Sequence, residues 1–209
     1  MSEADDAVRS ARSRKEARRE AIEQAAYKVL VRDGYKAASL LAIAKEGQAS
    51  NETLYRWYGS KQALFASLVE GNAEDARALL DRAFDEGDDP AETLTALGPV
   101  LLKVVTSERA VALNRAAAGD VYDSGKMGEA LGKGGRAAIV PRIAKLIARL
   151  ADKGVMRVDD PEEAADVYVA LLIGDLQIRL VTGALAGVTE DDLSRRSARA
   201  LALLHRLYG

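Results

Sequence analysis

The sequence predicts an all-α protein with an N-terminal three-helix unit and a larger C-terminal helical body. Apolar residues recur at helical spacing in segment after segment, and no useful stretch alternates apolar and polar as a strand would. Start and stop signals punctuate those segments. Ser39, Ser50 and Ser60 stand where a hydroxyl can cap free backbone N–H groups, and Asp33-Gly34 and Gly87-Asp88-Asp89-Pro90 mark breaks. With 48% hydrophobic residues over 209 positions, the chain can build one good core or two small domains sharing a long helix.

In chain order, Ala7 to Arg19 holds Arg9, Arg12, Arg14, Lys15, Arg18 and Arg19, first as a tail and then as the opening of a helix. Such an arm either reaches phosphates or a minor groove or is simply a solvated terminus. Ile22, Ala25, Ala26, Val29 and Leu30 follow at helical spacing until Gly34 stops the helix. Leu40, Leu41, Ile43 and Ala44 give the next helix its apolar face, Gly47 breaks it, and a further helix starts after Ser50. On that helix Leu54 and Tyr58 point back at its predecessor, leaving Asn51, Glu52, Thr53, Tyr55 and Arg56 outward. A helix anchored inside and showing amide, hydroxyl, phenol and guanidinium groups outside suits a DNA major groove.

From Ser60 a long helix is expected from Lys61 to about Phe84, with Leu64, Phe65, Leu68, Leu79, Leu80 and Phe84 binding it to the domains before and after. Helices are then expected near 90–106, 108–118, 126–153 with a glycine-rich interruption, 161–183 and 190–207. The stretch from Gly128 to Arg136 has Gly132-Lys133 but lacks the earlier glycine, the following Ser or Thr and the preceding strand of a phosphate loop, so it reads as a connection.

The segment from Ser39 to Lys61 resembles the helix-turn-helix of TetR-type transcriptional regulators. The likeness rests on Ile43-Ala44, the turn Gly47 to Ser50, Thr53-Leu54-Tyr55, Trp57-Tyr58 and Ser60-Lys61, with Asp33-Gly34-Tyr35 upstream. Two departures stand out. The turn reads Gly47-Gln48-Ala49-Ser50 where the family commonly has Ala-Gly-Val-Ser, which displaces the glycine by one, and Glu52 stands where the family often has Gly. The C-terminal half is similar, more weakly, to the AefR-like subgroup. The resemblance implies a basic flexible arm over 1–14, a DNA-binding domain over 15–62 and a helical effector-binding and dimerisation domain over 63–209. It also implies that Ser39, Ser50, Tyr55, Trp57 and Lys61 meet phosphates while Asn51, Glu52, Thr53 and Arg56 face base edges.

Charge agrees with that division. Residues 9–61 carry 12 Lys or Arg against 6 Asp or Glu, although the whole chain has a net charge of −2. One face can therefore meet phosphates while the rest stays acidic. With no cysteine and the single histidine His205, disulfides, thiolate nucleophiles and His-rich metal sites are excluded, and no catalytic group, metal or cofactor is expected. The start, Met1 to Asp6, is not a secretory signal, and the longest apolar run, Val167 to Gly174, is far short of a membrane span. Those features fit a cytoplasmic protein.

From Val167 to Val181 nearly every residue is apolar, which calls for two burying surfaces. A homodimer interface is expected there, with Ala170 and Gly174 allowing close approach and Leu193, Leu201, Leu204 and Leu207 completing a four-helix contact; the alternative is the central helix of a monomer. Asn114, Arg115, Tyr122, Tyr168 and Gln177 are the polar candidates for a small-molecule cavity among the middle helices. The expected function is a repressor that binds a palindromic double-stranded operator as a homodimer and is released by a small-molecule effector. The rival is a helical carrier or enzyme with a vestigial DNA-binding unit.

Overall fold

The computed structural model of the chain describes residues 3–72, 77, 78, 81 and 89–209. Leu79, Leu80, Phe84, Gly87 and Asp88, invoked above for the connecting helix and its end, lie outside the described residues. The helices are α1 (Glu3–Ala37), α2 (Leu40–Glu46), α3 (Asn51–Tyr58), α4 (Lys61–Asn72), α5 (Pro90–Thr106), α6 (Glu108–Asp120), α7 (Lys126–Gly134), α8 (Arg136–Asp152), α9 (Pro161–Ile173), α10 (Leu176–Thr182) and α11 (Glu190–Tyr208). Among the described residues there is no strand.

Local chemistry sets the ends. Gly34, with φ 74° and ψ 168°, interrupts α1 as the Asp33-Gly34 signal requires. Asp89 caps α5 by accepting from the Ala91 N–H ahead of Pro90, and Asp160 caps α9 by accepting from the Glu162 and Glu163 N–H groups ahead of Pro161. Thr189 and Asp192 form a reciprocal capping box at α11.

Two boundaries differ from expectation. Helix α1 begins at Glu3, so residues 3–14 are helical where a flexible arm was expected. The helix expected over 161–183 is broken at Gly174, with φ 48° and ψ −129°, into α9 and α10. There Arg196 reaches from α11 and donates from Nε to the Leu172 carbonyl at 2.6 Å and from Nη2 to the Ile173 carbonyl at 2.8 Å. A Cβ on Gly174 would stand 2.4 Å from Arg196 Nη2, so this glycine makes room for a guanidinium from α11. At the far end of α10, Arg115 on α6 donates to the carbonyls of Val181 at 2.8 Å and Leu180 at 3.0 Å. Two cations thus hold the carbonyl ends that the interrupted helix leaves open.

The apolar residues gather into two cores. The first joins Ile22, Ala25, Ala26, Val29 and Leu30 of α1 with Ile43 and Ala44 of α2, Leu54 of α3 and Leu64, Phe65 and Leu68 of α4. It takes in Ala112, Leu113, Ala116 and Ala117 of α6 and Met127 of α7, so the N-terminal head is sealed by the C-terminal body. Tyr27 ties the same elements: its hydroxyl donates to the Leu68 carbonyl at 3.3 Å and its ring lies 5.0 Å from the Arg109 guanidinium. The second core packs α5, α8, α9, α10 and α11 around Leu97, Leu102, Ile143, Ile147, Leu150, Tyr168, Leu172 and Leu204.

Candidate nucleic-acid interface and effector cavity

Two hydroxyls build the motif. Ser39 Oγ accepts from the Ala42 N–H at 3.1 Å to start α2; Ser50 Oγ accepts from the Thr53 N–H at 3.1 Å and lies 2.8 Å from Thr53 Oγ1 to start α3. Between them the Gly47 N–H donates to Ile43 and the Ala49 N–H to Ala44, both at 2.8 Å. The left-handed residue of the turn is Gln48, at φ 49°, while Gly47 keeps φ −85°. Gly47 serves packing: a Cβ there would come within 3.1 Å of Ala25 Cβ on α1. Arg18 fixes the turn from outside, donating from Nη2 to the Gln48 carbonyl at 2.8 Å.

Leu54 is fully buried and locks α3 into the head. That leaves Glu52, Tyr55 and Arg56 exposed, Tyr55 by 55%. Asn51, Thr53 and Trp57 are half-buried, with Trp57 and Tyr58 packed against the head core and Asn51 Oδ1 buried without a partner. Ser39 and Ser50 are exposed beside them. Lys61 already has a partner: its ammonium donates to the Tyr35 carbonyl at 2.9 Å and sits 4.2 Å from the centre of the Tyr35 ring. The lysine thus satisfies the carbonyl where α1 ends and stacks on its aromatic ring.

Tyr35 is a meeting point. Its ring meets Phe65 edge-on with centroids 5.6 Å apart, and its hydroxyl faces the carboxylate of Asp120, which is fully buried at the end of α6. Asp120 Oδ2 accepts from the Met127 N–H at 3.1 Å and the Ser124 hydroxyl at 2.8 Å, organising the turn into α7. The Tyr35 hydroxyl and Asp120 Oδ1 form no well-shaped hydrogen bond, yet lie close enough to feel each other. Burial pushes the Tyr35 phenol up, reinforced by Asp120. Burial alone would raise Asp120 as well, but the Met127 N–H and the Ser124 and Tyr35 hydroxyls outweigh it and hold the carboxyl below its ordinary value.

Beyond this junction, α4, α5, α6, α7, α8, α9 and α10 enclose a cavity of about 590 Å³. Val69, Leu101, Val105, Leu113, Ile139 and Val169 supply most of its wall, and Asn72, Asn114, Arg136 and Gln177 its polar side chains. Of the five residues expected to line such a site, Asn114 and Gln177 do. Arg115 points instead to α10 and borders a second, more polar cleft beside Tyr35. Tyr168 is buried in the second core, where its hydroxyl donates to the Leu94 carbonyl at 3.4 Å. Tyr122 is 94% exposed on the turn after α6 and lines neither space. The residues missed were Asn72 and Arg136; Arg136 ends the glycine-rich stretch read as a connection, and its charge there was the signal.

The expected interface residues divide. Leu193 and Leu204 are buried within the second core, Leu201 is half-buried, and Ala170, Gly174 and Leu207 are exposed. Ile178, 59% exposed, joins them.

The model for the AefR-like transcriptional repressor C-terminal domain matches residues 92–209, and that for bacterial regulatory proteins of the tetR family matches residues 22–68. No curated protein matches the chain. A TetR transcriptional regulator from Agrobacterium tumefaciens is 30% identical with a TM-score of 0.72, the match covering 92% of this chain and 94% of that one. A TetR-family regulator structure from Mesorhizobium loti superposes with a TM-score of 0.77 at 20% identity, covering 94% and 98%. The flavonoid-responsive regulator FrrA is 26% identical with a TM-score of 0.67, covering 92% and 97%.

Proposed function

Because the chain belongs to the tetR family of bacterial regulatory proteins and carries an AefR-like C-terminal domain, we propose that this transcriptional regulator is a homodimeric repressor released from a palindromic operator by a small molecule. One observation carries the reading: α3 is held in the head by buried Leu54 while Glu52, Tyr55 and Arg56 stay exposed on a basic N-terminal segment. Asn51 and Thr53, half-buried at the start of α3, border the same face, and Ser39, Ser50 and Trp57 flank it as backbone contacts. Lys61, at the start of α4, is the further phosphate contact that the family likeness implies. Exposed Ile178, Ala170 and Leu207 on α9 to α11 are the apolar surface for a second copy, and the reading calls for two α3 helices about 34 to 36 Å apart along a duplex. The cavity beside α4 and α6 takes the effector, a reading supported by a relative whose name marks it as flavonoid-responsive. The protein acts in the cytoplasm, where operator and effector meet.

The test is fluorescence anisotropy with the palindrome nearest the gene's own start, from 50 to 200 mM salt, beside the solution mass. Log affinity should fall linearly with log salt. The pair Tyr55→Ala and Arg56→Ala should lower affinity at least about tenfold with the helical circular dichroism intact. Affinity that ignores both salt and substitutions, or a mass of one subunit at working concentration, overturns the reading.

A further inference from the structure

We infer that the cavity selects an uncharged, largely apolar molecule carrying hydroxyl or N–H donors, and discriminates against carboxylates of the same shape; the inference rests on the effector reading of this cavity. Asn114 commits its amide N–H to the Ala110 carbonyl at 2.9 Å and Gln177 directs its own to the Val105 carbonyl at 3.4 Å. Each keeps its amide oxygen, which accepts, together with one further N–H, so either amide can receive a ligand hydroxyl while carrying no net charge to balance an anion. Among the described lining residues there is no Asp or Glu to balance a ligand cation, and Arg136 is the one cationic side chain. Arg136 is already paired: its Nη2 lies 2.6 Å from Asp166 Oδ1 on α9, and both side chains are half-exposed at the solvent edge. A carboxylate entering this apolar wall meets no unpaired cation and has to lose its hydration or displace Asp166. A neutral ring system with a hydroxyl keeps the apolar contacts and finds an acceptor at Asn114 or Gln177.

Three probes of one shape separate these terms: trans-4-hydroxystilbene, trans-stilbene and trans-stilbene-4-carboxylate, titrated against the full-length protein by fluorescence. The hydroxyl compound should bind tightest and the carboxylate at least about tenfold more weakly. Asn114→Leu and Gln177→Met, which keep size and helix preference, should erode the advantage of the hydroxyl compound over stilbene by about threefold to tenfold between them. Asp166→Asn provides a gain: by freeing Arg136 it should strengthen carboxylate binding while leaving the hydroxyl compound unchanged. Tightest binding of the carboxylate by the unaltered protein, no response to Asp166→Asn, or no binding of any probe overturns the inference. Operator binding is measured separately without probes, so a protein that ranks the three probes as stated but ignores DNA would sink the repressor reading and leave the ligand class standing.

Discussion

Gln48 carries the positive φ in the turn between α2 and α3, and it is the one non-glycine residue with that backbone among the described residues. A side chain in the left-handed region costs roughly 1–2 kcal/mol, and glycine removes that strain while adding freedom to the unfolded chain. Gln48→Gly should therefore stabilise the protein by about 0.5–1 kcal/mol, read as a higher urea midpoint. Asp120 makes a prediction of the opposite kind. Its carboxyl is held below the ordinary Asp value in the fold, so its contribution is complete above about pH 4 and is lost as pH falls through the folded value. Asp120→Asn should lower the melting temperature at neutral pH and flatten its decline below pH 4. At this scale the sequence revealed anchors and caps: Leu54, Ser39 and Ser50 sit as their spacing implied. The intramolecular partner of Lys61 was not legible, because a lysine beside a helix start reads as free until the fold brings the Tyr35 carbonyl and ring to it. Tyr122 and Tyr168 do not line the cavity, and polarity alone does not separate a residue at the tip of a turn from one at the centre of a core.

At the scale of elements, close crossings decide which small residues matter. Gly98 lets α5 pass against α9 and α11: a Cβ there would lie 2.0 Å from Ser197 Oγ and 3.0 Å from the Tyr168 hydroxyl oxygen. Gly98→Ala should cost about 1–3 kcal/mol through overpacking, and Ser197→Ala in the same chain should recover part of it by removing the nearest atom. Urea unfolding of the single and double variants measures both. Gly174→Ala meets Arg196 and an unfavourable φ together, so it should lower the thermal midpoint more than Gly183→Ala, whose added methyl has open space despite φ 79°. Helix spans were legible because proline, glycine and hydroxyl signals bracket them. The break at Gly174 was not, since the apolar pattern runs unbroken through it and the arginine that occupies the gap comes from another helix, over 20 residues on.

On the scale of the whole molecule, the head shares its core with α6 and α7, so the head and the cavity-bearing body should unfold together. Leu113→Ala, on the stretch of α6 common to the head core and the cavity wall, should cost about 2–5 kcal/mol and do so in a single cooperative transition followed by both circular dichroism and Trp57 fluorescence. The two-part layout and the N-terminal basic bias could be read from the sequence, but this shared seam could not, because it pairs α1 and α4 with residues some fifty to ninety positions later.

Adjacent residues on α6 look in two directions: Asn114 borders the cavity and Arg115 grips the last carbonyls of α10. A seven-residue helix is too short to persist unaided, so α10 leans on that grip, while Arg196 holds the end of α9 on the other side of the break. Because the two residues are neighbours on one helix, the cavity wall and the exposed stretch bearing Ile178 rest on a single support, with no relay of intermediate side chains between them.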